Sequence, residues 1–332
     1  MYALPHRHLR IFSLALLLCL TQILVQSCGS DTFVAPQNTV EFAQRLSEYH
    51  IFQGTIQSLV PSENFVEYRL PAALFSDNSE KQRLIALPAG KKLTYINDEL
   101  PDFPDQTMLV KTFYYFNDKR DVSKGKKIIE TRLLVKQGTS WNVATYRWNA
   151  EQTEATLTTS GFDTNAEWID EKGIGRTTSY HVPNNRECAT CHQANGVIQP
   201  IGPKMRNLNT TIVQNGTEIN QLRHLLQKGV LPSMDLLRIG SVPHPGNTAV
   251  SLQERSRAYL DINCAHCHKQ NGYAANQGLD FAYSTALAQT GISANKNNIL
   301  TRMRAGTMPL LGTFLSDEEG IRLLNSYFET LP

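Results

Sequence analysis

Little in this chain of 332 residues is in surplus: its charges nearly cancel, cysteine is rare, and long apolar runs are few. The 32 Lys and Arg residues face 30 Asp and Glu, whereas a nucleic-acid binder shows a basic excess. The one dense basic run, Lys124-Gly125-Lys126-Lys127, falls between two predicted strands and reads as a solvated loop. No nucleic-acid partner is expected. The apolar run Ile11 to Val25 has the length of a signal peptide and is short for a transmembrane span. From Leu46 to Tyr180 there is no cysteine, no nucleophile elbow, no phosphate loop and no metal-spaced histidine group. That region is expected to be structural or to dock a partner.

Arg7 and Arg10 give the leader a basic start. Its end, Val25-Gln26-Ser27-Cys28-Gly29, resembles a bacterial lipobox, with Gln26 as the imperfect residue. Residues 1–27 are expected to leave as a lipoprotein-type signal peptide, with lipid on Cys28 and a linker over 28–45. Two or more acyl chains anchor a protein stably where one does not. The alternative is an ordinary secretory signal with an incidental Cys28. Either route takes the chain out of the cytoplasm, to the periplasmic side of the envelope or the outer membrane. Loss of the two leader arginines then leaves the basic and acidic side chains in balance.

The remaining cysteines are concentrated in two pentapeptides, Cys188-Ala189-Thr190-Cys191-His192 and Cys264-Ala265-His266-Cys267-His268. Both read C-x-x-C-H, the pattern for c-type haem attachment. Cysteines three apart lie near one face of a helical turn, so both thiols can add to the vinyl groups of one porphyrin. The histidine that follows, His192 or His268, reaches the iron from the same side. Two covalently bound haem c groups are therefore expected. A zinc ribbon would place its C-x-x-C knuckles about 15–20 residues apart, far closer than Cys188 and Cys264. A thioredoxin-like pair would need a βαβ context, which neither copy has. With Cys19 in the leader and Cys28 lipidated, no thiol is left for a disulfide, although the compartment would allow one.

The expected fold class is α+β multidomain, an antiparallel β domain over 46–180 followed by two mainly helical haem units. Thr107 to Phe116, Ile128 to Gln137 and Trp141 to Trp148 are rich in strand formers, with Gly138-Thr139-Ser140 as a turn. The second haem unit, 249–332, opens on Ser251-Leu252-Gln253-Glu254, a capping box before a helix that runs into the second motif. Ser316-Asp317-Glu318-Glu319 is read as another, before a helix bearing Ile321, Leu324, Phe328 and Leu331. Two such helices resemble the crossing terminal helices of class I cytochromes c. Thr307-Met308-Pro309-Leu310 resembles their Met-Pro segment, which makes Met308 the expected sixth ligand of the second iron; Met303, within a helical stretch, is the competitor and is read as core.

The first haem unit, 181–248, is less regular. Gly202-Pro203-Lys204-Met205 matches the Gly-Pro-x-apolar element of class I cytochromes, in which the proline carbonyl accepts the proximal histidine N–H. Thr217 is the expected cap of a helix bearing Leu222, Leu225 and Leu226, closed by Gly229. In Val230-Leu231-Pro232, Leu231 stands where Met-Pro would supply a ligand, and an alkyl chain cannot bind iron. Met234, nearest in register, then Met205, His224 and His244 are the candidate replacements. The β domain could also supply the ligand, or the position could stay open.

Several further segments resemble a group of dihaem c-type cytochromes of bacterial envelopes. They are Leu74 to Lys81 (LFSDNSEK), Lys111 to Tyr115, Glu130 to Leu134, Val182-Pro183-Asn184, Ile201 to Lys204, Asn220 to Leu222, Arg257 to His268, and Met308-Pro309. The resemblance runs from about residue 70 to the end. It implies a haem-bearing envelope protein with a β-helix repeat protein as a potential partner, and it defines no reaction.

The leading functional expectation is single-electron transfer between redox proteins of the envelope, with His/Met ligation closing the second iron. The alternative is a dihaem peroxidase with an open first iron, although no distal acid–base pair is evident near the first motif. A third possibility is a surface-assembly module whose β domain docks a partner. An electron carrier is preferred to a catalyst, and no catalytic residue is assigned.

Overall fold

The computed structural model describes residues 40–310 and 313–332. The expected signal peptide, Cys28 and most of the linker lie outside the described residues. The fold is mixed α+β, a large antiparallel sheet with six helices among the described residues. Strands β1 (Val66–Glu67), β2 (Glu80–Ala86), β3 (Met108–Phe116), β4 (Lys126–Gln137), β5 (Ser140–Trp148) and β6 (Ala155–Thr158) form one sheet in sequence order. Each strand turns back on its predecessor. Between β4 and β5 the turn needs only Gly138 and Thr139, with Gly138 at a φ of 57°, the left-handed backbone that tight hairpins demand.

Side chains alternate across a strand, so each face of this sheet carries its own set. Leu84, Val110, Leu133, Ala144 and Tyr146 point to one face and pack on Leu46, Ile51, Phe52 and Leu59 from the chain preceding the sheet. On the opposite face Ile85, Leu109 and Leu134 join Trp141 in a core with Met205, Leu208, Leu222, Leu225, Val230 and Leu231. Further along the sheet Phe113, Tyr115 and Ile129 meet Trp168, Tyr180 and Val182 of the hairpin β7 (Phe162–Ile169) and β8 (Gly175–Val182). The expected β domain and first haem unit therefore share a core. The boundary read near residue 181 marks a change of texture, not of core, and residues 40–332 form one compact unit.

Helix α1 (Asn185–His192) carries the first motif. Asn184 caps it by accepting from the Arg186 and Glu187 amides, and Glu187 reaches back to the Asn184 N–H. The short α2 (Met205–Leu208) and α3 (Gln221–Gln227) follow. Thr217 is not a helix cap. It lies in strand β10 (Thr217–Asn220), paired with β9 (Thr211–Gln214), and Asn220 caps α3 instead. The hairpin takes up Thr217, so the helix starts where an Asn side chain can reach the Arg223 amide.

Helix α4 (Leu252–Asn263) is capped by Ser251 as expected and ends beside Cys264. It packs against α6 (Glu318–Glu329), as does α5 (Ile292–Arg304). The cap of α6 is Asp317 rather than Ser316: its carboxylate accepts from the Gly320 amide and from the Tyr259 hydroxyl of α4. At the α4–α6 crossing a Cβ on Gly320 would overlap the Tyr259 ring. No helix among the described residues is long and apolar enough to cross a membrane.

Candidate functional site

The capped helix α1 places Cys188 at its middle and Cys191 and His192 at its C-terminal end. The second motif follows α4 in a turn where the His268 amide donates to the Cys264 carbonyl at 2.9 Å. The fold brings the two motifs together. Atoms of Cys191, His266 and Cys267 that can bind a metal lie within 4.8 Å of one another. Three long-range ties hold this arrangement. Lys204 bonds the Asp261 carboxylate of α4 at 2.7 Å, and Asn263 accepts from the Phe75 amide at 2.7 Å. Asp77 accepts from the Phe314 and Leu315 amides, which fastens the segment after Met308 to the start of the sheet.

A cavity of about 110 Å³ opens beside the first motif. Cys188, Cys191 and His192 form one wall, and the sheet residues Leu109, Lys111, Phe113, Arg132 and Leu134 form another. His266 of the second motif and Pro309, the neighbour of Met308, also reach it. The volume is below the roughly 300–1,000 Å³ of ligand pockets, so the chemistry of the donors, not the free space, bears on whether a haem fits.

That chemistry is specific at His192. Its Nδ1 lies 2.8 Å from the Gln199 carbonyl. A donor role for Nδ1 leaves Nε2 as the free lone pair, the tautomer an iron ligand needs. The expected carbonyl was that of Pro203. Gln199, four residues earlier, supplies it instead, and the Gly202 carbonyl next to Pro203 accepts from Asn207. Burial pushes His192 down to about 3, which keeps the ring neutral and available to a metal. In the second motif the His268 Nδ1 is sealed from solvent without a partner among the described residues, its ring 5.3 Å from that of Phe281.

The thiols differ. Burial raises Cys188 and pushes Cys264 up to about 12. The contact with Cys267 lowers Cys191 and raises Cys267, since one sulfur can hold the other's proton. No disulfide joins the four.

None of the residues named as replacement ligands for the first iron lines this cavity. Met205 is fully buried against the sheet and Met234 packs on the same core. His224 is buried on α3, and His244 accepts from the Gly246 amide in an exposed loop. Leu231 is a core residue of the sheet interface and does not line the cavity. In the last block Met303 is core, packed with Ile299, Leu300 and Leu324, while Met308 is half-buried in a loop.

Reading the sequence by motif missed His266, hidden inside the second pentapeptide, and the sheet's cations. Arg83, Lys111 and Arg132 lie directly opposite one another on β2, β3 and β4. Lys111 shares a face with Leu109 and Phe113; a charge in such an apolar alternation was the available signal. No family model, curated protein or solved structure matches this chain.

Proposed function

We propose that the chain is a dihaem c-type cytochrome of the bacterial envelope that passes single electrons through two covalently attached haems. The observation that carries this reading is the meeting of the two C-x-x-C-H motifs, with Cys191 and Cys267 side by side and His192 fixed by the Gln199 carbonyl. Cys188, Cys191 and His192 would hold one haem, and Cys264, Cys267, His268 and Met308 the other. Bound haem supplies one-electron chemistry at iron. The chain's residues orient the His192 imidazole, keep both rings neutral through burial and wall the first site with apolar side chains from the sheet. Redox proteins of the envelope are the proposed partners, with a β-helix repeat protein among them, and Cys28 is the proposed lipid anchor.

Two other readings each rest on one observation. The cavity beside His192 is lined by none of the four replacement ligands, which favours an open first iron and hence a peroxidase-type reaction. The Cys191–His266–Cys267 cluster is a soft donor set that zinc would also accept. One experiment separates all three. Protein made with haem-maturation machinery is denatured in acidified solvent, weighed and assayed for metal, and its native reduced form is exposed to carbon monoxide. The proposal expects two retained haems and no zinc. Freely extractable haem, or zinc in its place, ends it. Carbon monoxide binding at one haem together with peroxide turnover moves the conclusion to the peroxidase.

A further inference from the structure

The row Arg83–Lys111–Arg132 crosses three adjacent strands, and Lys111 and Arg132 of it wall the cavity beside the first motif. Like charges placed directly opposite one another destabilise a sheet, and buried cations call for a counter-charge. Only part of the row has one. Arg132 is held by both oxygens of Glu130, which also accepts from the Tyr180 hydroxyl. One terminal nitrogen of Arg83 is sealed from solvent without a partner among the described residues. Among the described residues Lys111 makes no ion pair; its ammonium lies 4.7 Å from the centre of the Phe113 ring. Burial, reinforced by Arg83, holds Lys111 well below the usual lysine range. The neighbouring Lys81 spends its ammonium on the Ser79 carbonyl.

We propose that Arg83 and Lys111 bind the propionate carboxylates of the haem attached at Cys188 and Cys191; this rests on the dihaem reading above. An Arg–carboxylate pair is among the stronger hydrogen-bonded ion pairs available; Lys111 lines the cavity of the motif that brings the anion, and Arg83 lies directly opposite it on the next strand. The sheet is then more than a scaffold. It neutralises the first haem and holds its reduction potential up, because a nearby positive charge favours the form that has gained an electron.

The test uses the full chain carrying its haems, as wild type, Lys111→Met, Arg83→Met, the double variant and Arg83→Lys. Haem per chain is counted by mass after denaturation, and each redox step is then followed by spectroelectrochemical titration. The expected result is two haems in every protein. One step should fall by at least a tenfold change in its one-electron equilibrium per cation removed, 59 mV, while the other step stays and Arg83→Lys remains near wild type. Unmoved steps in a double variant that retains two haems overturn the proposal and leave the dihaem reading intact. Equal movement of both steps overturns it as well. A wild type without covalent haem ends the dihaem reading and this proposal together. Acetate titrated into the wild type should shift neither step. A shift assigns the cations to a free carboxylate and also overturns the proposal.

Discussion

The two C-x-x-C-H motifs sit in unlike surroundings. The second lies in a helical unit whose core of Tyr259, Leu260, Ile299, Leu300, Leu324 and Phe328 comes from the last eighty or so residues. The first has no such unit to itself. Its cavity is walled by strands β3 and β4, which precede it by dozens of residues, and the helices after it pack on the same sheet. One motif is thus housed by local helix packing and the other by long-range sheet pairing. The difference teaches that a repeated pentapeptide does not imply a repeated domain.

The largest effect that would sharpen this contrast separates the two methionines. Met303→Ala removes a packed core side chain and should cost about 2–5 kcal/mol, read as a lower denaturant midpoint, with the near-infrared thioether–iron band of the haem-loaded protein intact. Met308→Ala should cost far less stability and abolish that band. Reversed outcomes would transfer the ligand role to Met303.

Gly320→Ala comes next. A methyl driven into the Tyr259 ring overpacks the α4–α6 crossing and should cost about 1–3 kcal/mol, measured by chemical unfolding. Wild-type stability in this variant would mean that the two helices can part freely, and the contrast between a helix-built and a sheet-built site would weaken.

The smallest effect concerns the entry to the first motif. His181 of β8 bridges Asp163 at 2.6 Å and the capping residue Glu187 at 3.3 Å. Burial alone would lower its pKa, but the two carboxylates raise it above the usual value. A raised folded value means that the bridge stabilises fully below the unfolded value of about 6.5 and fades as pH rises through the folded one. Wild type should therefore exceed His181→Gln in unfolding midpoint at acid pH, with the gap closing at alkaline pH. A gap that widens with pH would reverse the assignment.

Much of the local structure was legible. The strands around Lys111, Leu133 and Tyr146, the Ser251 cap, the placing of Met303 in a core and the left-handed Gly229 all follow from alternation, capping chemistry and backbone preference. The errors were one-residue or one-element choices between similar groups: Asp317 over Ser316, Asn220 over Thr217, the Gln199 carbonyl over that of Pro203. Another oxygen acceptor stands a few residues away in sequence in each case, and only the path of the chain selects between them.

By itself the sequence determined the chemistry each segment can offer: two pairs of thiols each followed by an imidazole, and strands whose alternation places Leu109, Lys111 and Phe113 on a single side. Those are properties of near neighbours along the chain. Tertiary structure alone decided that Cys191 meets His266 and Cys267, that Asp77 fastens the segment beyond Met308, and that Lys111 and Arg132, in register with Arg83, wall the first motif. Contacts between residues so far apart depend on sheet register and on which faces find apolar partners, and both are set when the whole core closes.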